Sequence, residues 1–105
     1  MDRIAKVFFN NILAGVLIHD DKGYHFIYDR KYLAIGPPVS FHLPLQEESF
    51  SSTRLFPFFE NLVAEGWLKK IQCNAQKINE NDSFGLLLAN GRDLVGSVTI
   101  IQDKK

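Results

Sequence analysis

Residues 6 to 28, KVFFNNILAGVLIHDDKGYHFIY, constrain the fold of this chain more than any other stretch. Two apolar runs, KVFF and ILAGVLI, flank Asn10-Asn11, and asparagine tolerates the left-handed backbone that a two-residue hairpin turn requires. The pattern predicts strands near residues 4 to 9 and 12 to 19. DDKG then supplies a second turn, with Gly23 free to take positive φ, before the aromatic and β-branched run YHFIY. The opening is therefore expected to be a three-stranded β-meander.

GPP at 36–38 breaks the chain, and VSFHLPL alternates Val39, Phe41 and Leu43 with Ser40 and His42, the period of a half-buried fourth strand ending near Pro44. QEESFSST is a polar loop leading to Ser52 or Thr53, either able to cap a helix in which Pro57 occupies the first turn. Leu55, Phe58, Phe59 and Leu62 follow helical spacing, with Phe56 and Val63 widening the stripe toward the core. Leu68, Ile71, Ala75 and Ile78 suggest a second helix, and Asp82 as N-cap, FGLLLA, and Gly91 as terminator suggest a short third. LVGSVTII returns to a strand expected to pair back into the sheet. The order predicts one α+β domain over residues 1–105: a mainly antiparallel sheet, the N-terminal meander plus a C-terminal strand, with about three helices on one face.

Composition narrows the class of partner. Lysines and arginines balance aspartates and glutamates at 12 each, and no basic block stands out, so the chain lacks the clustered positive charge that a phosphate backbone attracts. Direct nucleic-acid binding is not expected. Cys73 is the sole cysteine and suits a reducing compartment, so the expected location is cytoplasmic. Asn10 and Asn11 interrupt the N-terminal apolar residues, no signal peptide is read, and the run Ile12 to Ile18 is far short of the ~20 residues of a bilayer span.

No catalytic constellation is legible. GRDLVGS at 91–97 has glycines at P-loop spacing, but Ser97 and Val98 stand where lysine and a hydroxyl residue are needed, so it reads as a helix terminator and a turn into a strand. His19, His25 and His42 fall singly on expected strands without a second ligand at metal spacing. Asp20-Asp21 and Glu47-Glu48 lie in solvated turns, where burial cannot separate their pKa values. Cys73, without a local signature, reads as a plain thiol. No metal and no cofactor are expected, and the chain is not expected to be an enzyme.

Trp67, the sole tryptophan, follows Gly66 in the stretch FFENLVAEGW. If Gly66 ends the first helix in a left-handed conformation, Trp67 takes the next position and packs on Leu62 as a helix cap. Alternatively, a ring on a short corner bordered by Glu65, Lys69 and Lys70 is a rigid anchor of the kind that dominates protein interfaces. Both readings stand on sequence and position alone.

VSFHLPL, FFENL and GRDLVGSVTII, in that order, resemble the N-terminal subdomain of the HipA family of serine/threonine kinase toxins. The matching residues are Phe58, Phe59, Glu60, Asn61 and Leu62, then Gly91, Arg92, Asp93 and Gly96, and the likeness covers nearly the whole chain. Family members continue into a kinase core, and no catalytic Asp-Asn set is recognisable here. The resemblance therefore implies a free-standing antitoxin that binds and restrains a HipT-like kinase toxin, with a HipB-like helix-turn-helix protein reached through the complex. The alternatives are a non-inhibitory module completing the kinase fold in trans and a co-repressor component. Full-length members commonly place a proline and an acidic or polar residue after the Phe-Phe-acidic-Asn-Leu-Leu run, where this chain has Val63, Ala64, Glu65, Gly66 and Trp67. That departure makes Trp67, with Gly66, Glu65, Lys69 and Lys70 around it, the expected partner-binding site.

Overall fold

The computed structural model describes residues 3–63, 66–91 and 97–102. Among them the chain forms β1 (Arg3–Phe9), β2 (Ile12–Asp20), β3 (Gly23–Tyr28), α1 (Arg30–Leu33), β4 (Phe50–Ser52), α2 (Pro57–Glu60), α3 (Gly66–Gln76), α4 (Ser83–Asn90) and β5 (Val98–Gln102). The strands make one antiparallel sheet in the order β4-β3-β2-β1-β5. This is the expected α+β architecture. The meander is the part that the turn residues dictate: Asn10 and Asn11 both have positive φ, 51° and 68°, and Gly23 sits at 128°.

One face of the sheet carries the core. Val7, Leu17, Phe26, Phe59, Phe84 and Ile100 are each at most 1% exposed, and aromatic rings bridge sheet and helices, with Phe26 5.6 Å from Phe59 between ring centroids. Asp82 caps α4, its carboxylate accepting from the Gly85 N–H, so α4 starts where its N-cap residue predicts. Gly91 does end α4, but with a right-handed φ of −62°. Its lack of a side chain matters for close approach instead: a Cβ there would lie 1.9 Å from the Ile100 carbonyl oxygen, while the Ile100 N–H donates to the Gly91 carbonyl at 3.0 Å.

Three expectations need correction. VSFHLPL is not a strand: Leu43 N–H donates to the Ser40 carbonyl across a turn, Val39 and Leu43 are buried, and Phe41 is 93% exposed. The buried Tyr28 hydroxyl takes over the role a neighbouring strand would have had, accepting from the Val39 N–H at 3.1 Å and donating to the Leu43 carbonyl. His42 accordingly lies in that turn. The fourth strand is instead Phe50–Ser52, inside the segment read as polar loop, where backbone pairing with β3 outweighs a polar composition. The helix expected to run on to Glu65 is the single turn Pro57–Glu60, with Asn61 as its C-cap. Its N-cap is Phe56, with Pro57 in the first turn, in place of Ser52 or Thr53. Its apolar stripe still turns inward: Leu55, Phe56, Phe59 and Val63 are buried, and Phe58 and Leu62 pack against them. The one-turn helix Arg30–Leu33, capped by Asp29 accepting from Lys31 N–H, has no counterpart in the sequence pattern.

Candidate partner-binding site

Helix α3 begins at Gly66 and carries Trp67 in its first turn. Gly66 therefore opens a helix where the sequence suggested it closed one, and the expected cap of Trp67 on Leu62 has no helix end to belong to, since α2 stops five residues before Glu65. The ending sought there occurs eleven residues later. Lys77 has φ 56° and the Ile78 N–H donates to the Cys73 carbonyl at 3.0 Å, the six-to-one bond of a Schellman motif with lysine in the usual glycine place.

The helix is anchored toward its C-terminal end and exposed at Leu68 and Ile71. Cys73 is buried and Ile78 packs against the core, while Gln76 and Asn90 exchange amide hydrogen bonds of 2.8 and 3.1 Å between α3 and α4. Leu68 and Ile71, two of the residues whose spacing predicts this helix, are 45% and 51% exposed. Lys69 is half-buried and Lys70 exposed, and Glu65 lies outside the described residues, as do Arg92, Asp93 and Gly96 of the late motif. Trp67 is the second residue of the helix, four positions before the exposed Ile71.

A different cluster lies where the sheet meets the start of α4. The Arg3 guanidinium donates to both carboxylate oxygens of Asp82 at 3.0 Å and to His19 Nδ1 at 2.8 Å, and lies 4.9 Å over the Phe84 ring. The His19 ring stacks on Tyr24 at 4.2 Å. These contacts tie β1 and β2 to the N-terminus of α4. Asp82 is held below the ordinary carboxylate range, first by the Arg3 hydrogen bond, and His19 is pushed below its ordinary value, first by burial and then by Arg3. An imidazole accepting from a guanidinium must be neutral at that nitrogen, which agrees with the direction. His25 is likewise engaged, with Asp20 at 3.1 Å and Ser51 at 2.9 Å. An open cleft of about 520 Å³ runs between α2 and the start of α4, lined by polar groups including Arg54, Glu60 and Asn81, and neither Lys69 nor Lys70 borders it. Among the described residues no three metal-ligating side chains cluster, and no helix is long and apolar enough to cross a membrane.

A one-turn helix after the meander, a capped α4 returning into the sheet and a five-stranded antiparallel sheet define the class: an α+β module whose helices cover a single sheet face. A profile of the HipA N-terminal domain matches residues 5–101, and the chain belongs to that family. An uncharacterized protein of Haemophilus influenzae is 41% identical over 103 residues, covering 98% of this chain and 95% of that protein. A solved structure of the N-terminal domain of HipA toxin is 41% identical and superimposes with a TM-score of 0.79, covering 98% of this chain and 94% of that one. A toxin–antitoxin complex of HipA, HipB and operator DNA from Shewanella oneidensis contains a chain with the same fold at TM-score 0.78 and 20% identity, covering 96% of this chain and 24% of that one. The family context is that of toxin–antitoxin systems.

Proposed function

We propose that this protein is a HipS-like antitoxin: a non-enzymatic, cytoplasmic subunit that binds a HipT-type serine/threonine kinase toxin and inhibits it. One observation carries the reading. The fold that makes up 24% of the Shewanella chain accounts for 95% of the Haemophilus relative, a protein of about the domain's own length. Such a domain can act on a toxin chain as a separate partner, and the start of α3 supplies a contact suited to that task. Trp67, flanked by exposed Leu68 and Ile71, is the anchor, and Lys69 and Lys70 with Glu65 form its polar rim. Inhibition is steric: the tryptophan enters the kinase at or near its active-site cleft. Burying it contributes ~2 kcal/mol or more to binding. A HipB-like DNA-binding protein is reached through the toxin, since the chain's own charges balance.

The test combines the chain and its Trp67→Ala variant with the HipT-type kinase. The reading expects the variant to fold normally by circular dichroism and to lose inhibition. Full inhibition by a folded Trp67→Ala variant would remove the tryptophan from the contact. A second reading, that the module completes the kinase fold in trans without inhibiting it, draws support from the same Shewanella chain, in which this fold and the rest of the protein are one polypeptide. Kinase activity that rises on adding the chain would favour it.

A further inference from the structure

The sheet's other face is apolar as well. Strand pleating sends alternate residues away from the helices, and on β5, β1, β2 and β3 those residues include Ile101, Ile4, Phe8, Val16, Ile18 and Ile27. None belongs to the core cluster or packs against it. They lie in register across the four strands, Ile101 beside Lys6, Lys6 beside Val16 and Val16 beside Ile27 in one row, Ile4 beside Ile18 in the next. An antiparallel sheet with one face in water alternates apolar and polar residues, whereas a near-continuous apolar run is the mark of a strand covered on both sides. β2 reads ILAGVLI from Ile12 to Ile18 without a polar interruption. Its sequence is that of a strand with two covers, and the described residues supply one.

Two observations decide what the second cover is. Lys6 is exposed in the middle of the patch, and no carboxylate of a described residue pairs with it. A second copy of the chain docked face to face about a two-fold axis would drive Lys6 toward its own counterpart, a like-charge contact in an apolar setting. Area argues the same way. Four strands about 4.8 Å apart and three rows of side chains give about 400 Å² of sheet, roughly half of the ~800 Å² per partner that a stable standard interface buries. The occupant must reach further surface and bring a negative charge. His25, with Asp20 and Ser51 bound to it, forms a polar border at one side, as at the rim of an interface.

We infer that this outer face is a second docking surface for the toxin, which meets it with an apolar patch carrying a carboxylate opposite Lys6. The inference rests on the antitoxin reading and divides its labour: the sheet face holds the toxin, and the start of α3 blocks it.

Ile27 and Lys6 are both exposed, so Ile27→Lys and Lys6→Glu can be made without disturbing the core, and circular dichroism checks each. Binding to the purified HipT-type toxin is measured by calorimetry, with sedimentation of the free chain alongside. Ile27→Lys is expected to weaken binding about tenfold and Lys6→Glu about fivefold, the latter less at high salt. At saturating concentration both still inhibit the kinase, in contrast to Trp67→Ala. If the wild type binds and both folded variants bind within about twofold of it, the sheet face is not the dock and the antitoxin reading stands without it. If the wild type itself does not bind the toxin, the antitoxin reading fails and takes this inference with it. A wild-type dimer that Ile27→Lys dissociates would overturn the assignment in favour of a second copy.

Discussion

The two faces of the sheet are built from the same kinds of residue and end in different states. On the inner face Val7, Leu17, Phe26 and Ile100 lie under Phe59 and Phe84 and exclude water. On the outer face Ile4, Phe8, Val16, Ile18, Ile27 and Ile101 lie outside the core cluster, with no described helix residue packed on them as part of it. Hydrophobicity alone therefore does not select the core in this chain; the helices do, by where their short connections let them pack. The inner face carries the stability of the domain, and substitutions there and on the proposed docking surfaces should differ in kind.

The sharpest way to break the comparison is at Phe59. Phe59→Ala empties the layer between α2 and Phe26 and is expected to cost about 3–5 kcal/mol in denaturant unfolding; a loss under ~1 kcal/mol would mean that the inner face is not the load on which the fold rests. Tyr28→Phe comes next. Its hydroxyl satisfies the Val39 N–H and the Leu43 carbonyl at once, so removal leaves buried backbone groups unpaired, at about 1–3 kcal/mol, and faster amide exchange at Val39 would localise the effect.

The Arg3–Asp82 pair contributes less and shows itself through pH. Asp82 is lowered from 3.8, first by Arg3, so its stabilisation is complete above that value and is lost as pH falls through the lower folded value. His19 is lowered from 6.5, first by burial; the unfolded chain takes up a proton first, so stability also declines as pH falls below 6.5. Asp82→Asn keeps a capping oxygen and removes the ion pair. It should cost about 1 kcal/mol at pH 7 and flatten the lower part of the acid slope in a pH series of melting curves. An unchanged slope would show that the pair does not couple the sheet to α4. Smallest for stability is Ile71→Ser on α3, expected within about 0.5 kcal/mol of wild type because the side chain is half exposed. The same change should weaken toxin binding several-fold, by about 1 kcal/mol, which a titration reads directly.

How much of this was legible follows the chemistry of each segment. The meander was, because Asn10, Asn11 and Gly23 encode backbone angles that few other residues accept. α4 was, because Asp82 caps it by its own side chain. The 39–45 segment was not: its alternation mimics a strand, but Tyr28, distant in sequence, holds both flanks and leaves Phe41 outside. β4 was hidden because three residues pair through backbone, which composition does not record. The proposed partner site rests on residues of both kinds. Trp67 stood out as a lone ring on a polar corner, but the exposure of Leu68 and Ile71 did not, since helical spacing gives an apolar stripe without saying which side meets the sheet. The outer sheet face was written in the unbroken apolar run of β2, a signal whose meaning depends on knowing that only one side is covered.

The central claim is that this chain restrains a HipT-type kinase, and its most direct test is kinase autophosphorylation titrated with the wild-type protein. The account predicts activity falling in proportion to added protein to a floor at one chain per kinase. Activity that holds constant or rises across the same titration, with the two proteins shown to bind, would contradict it.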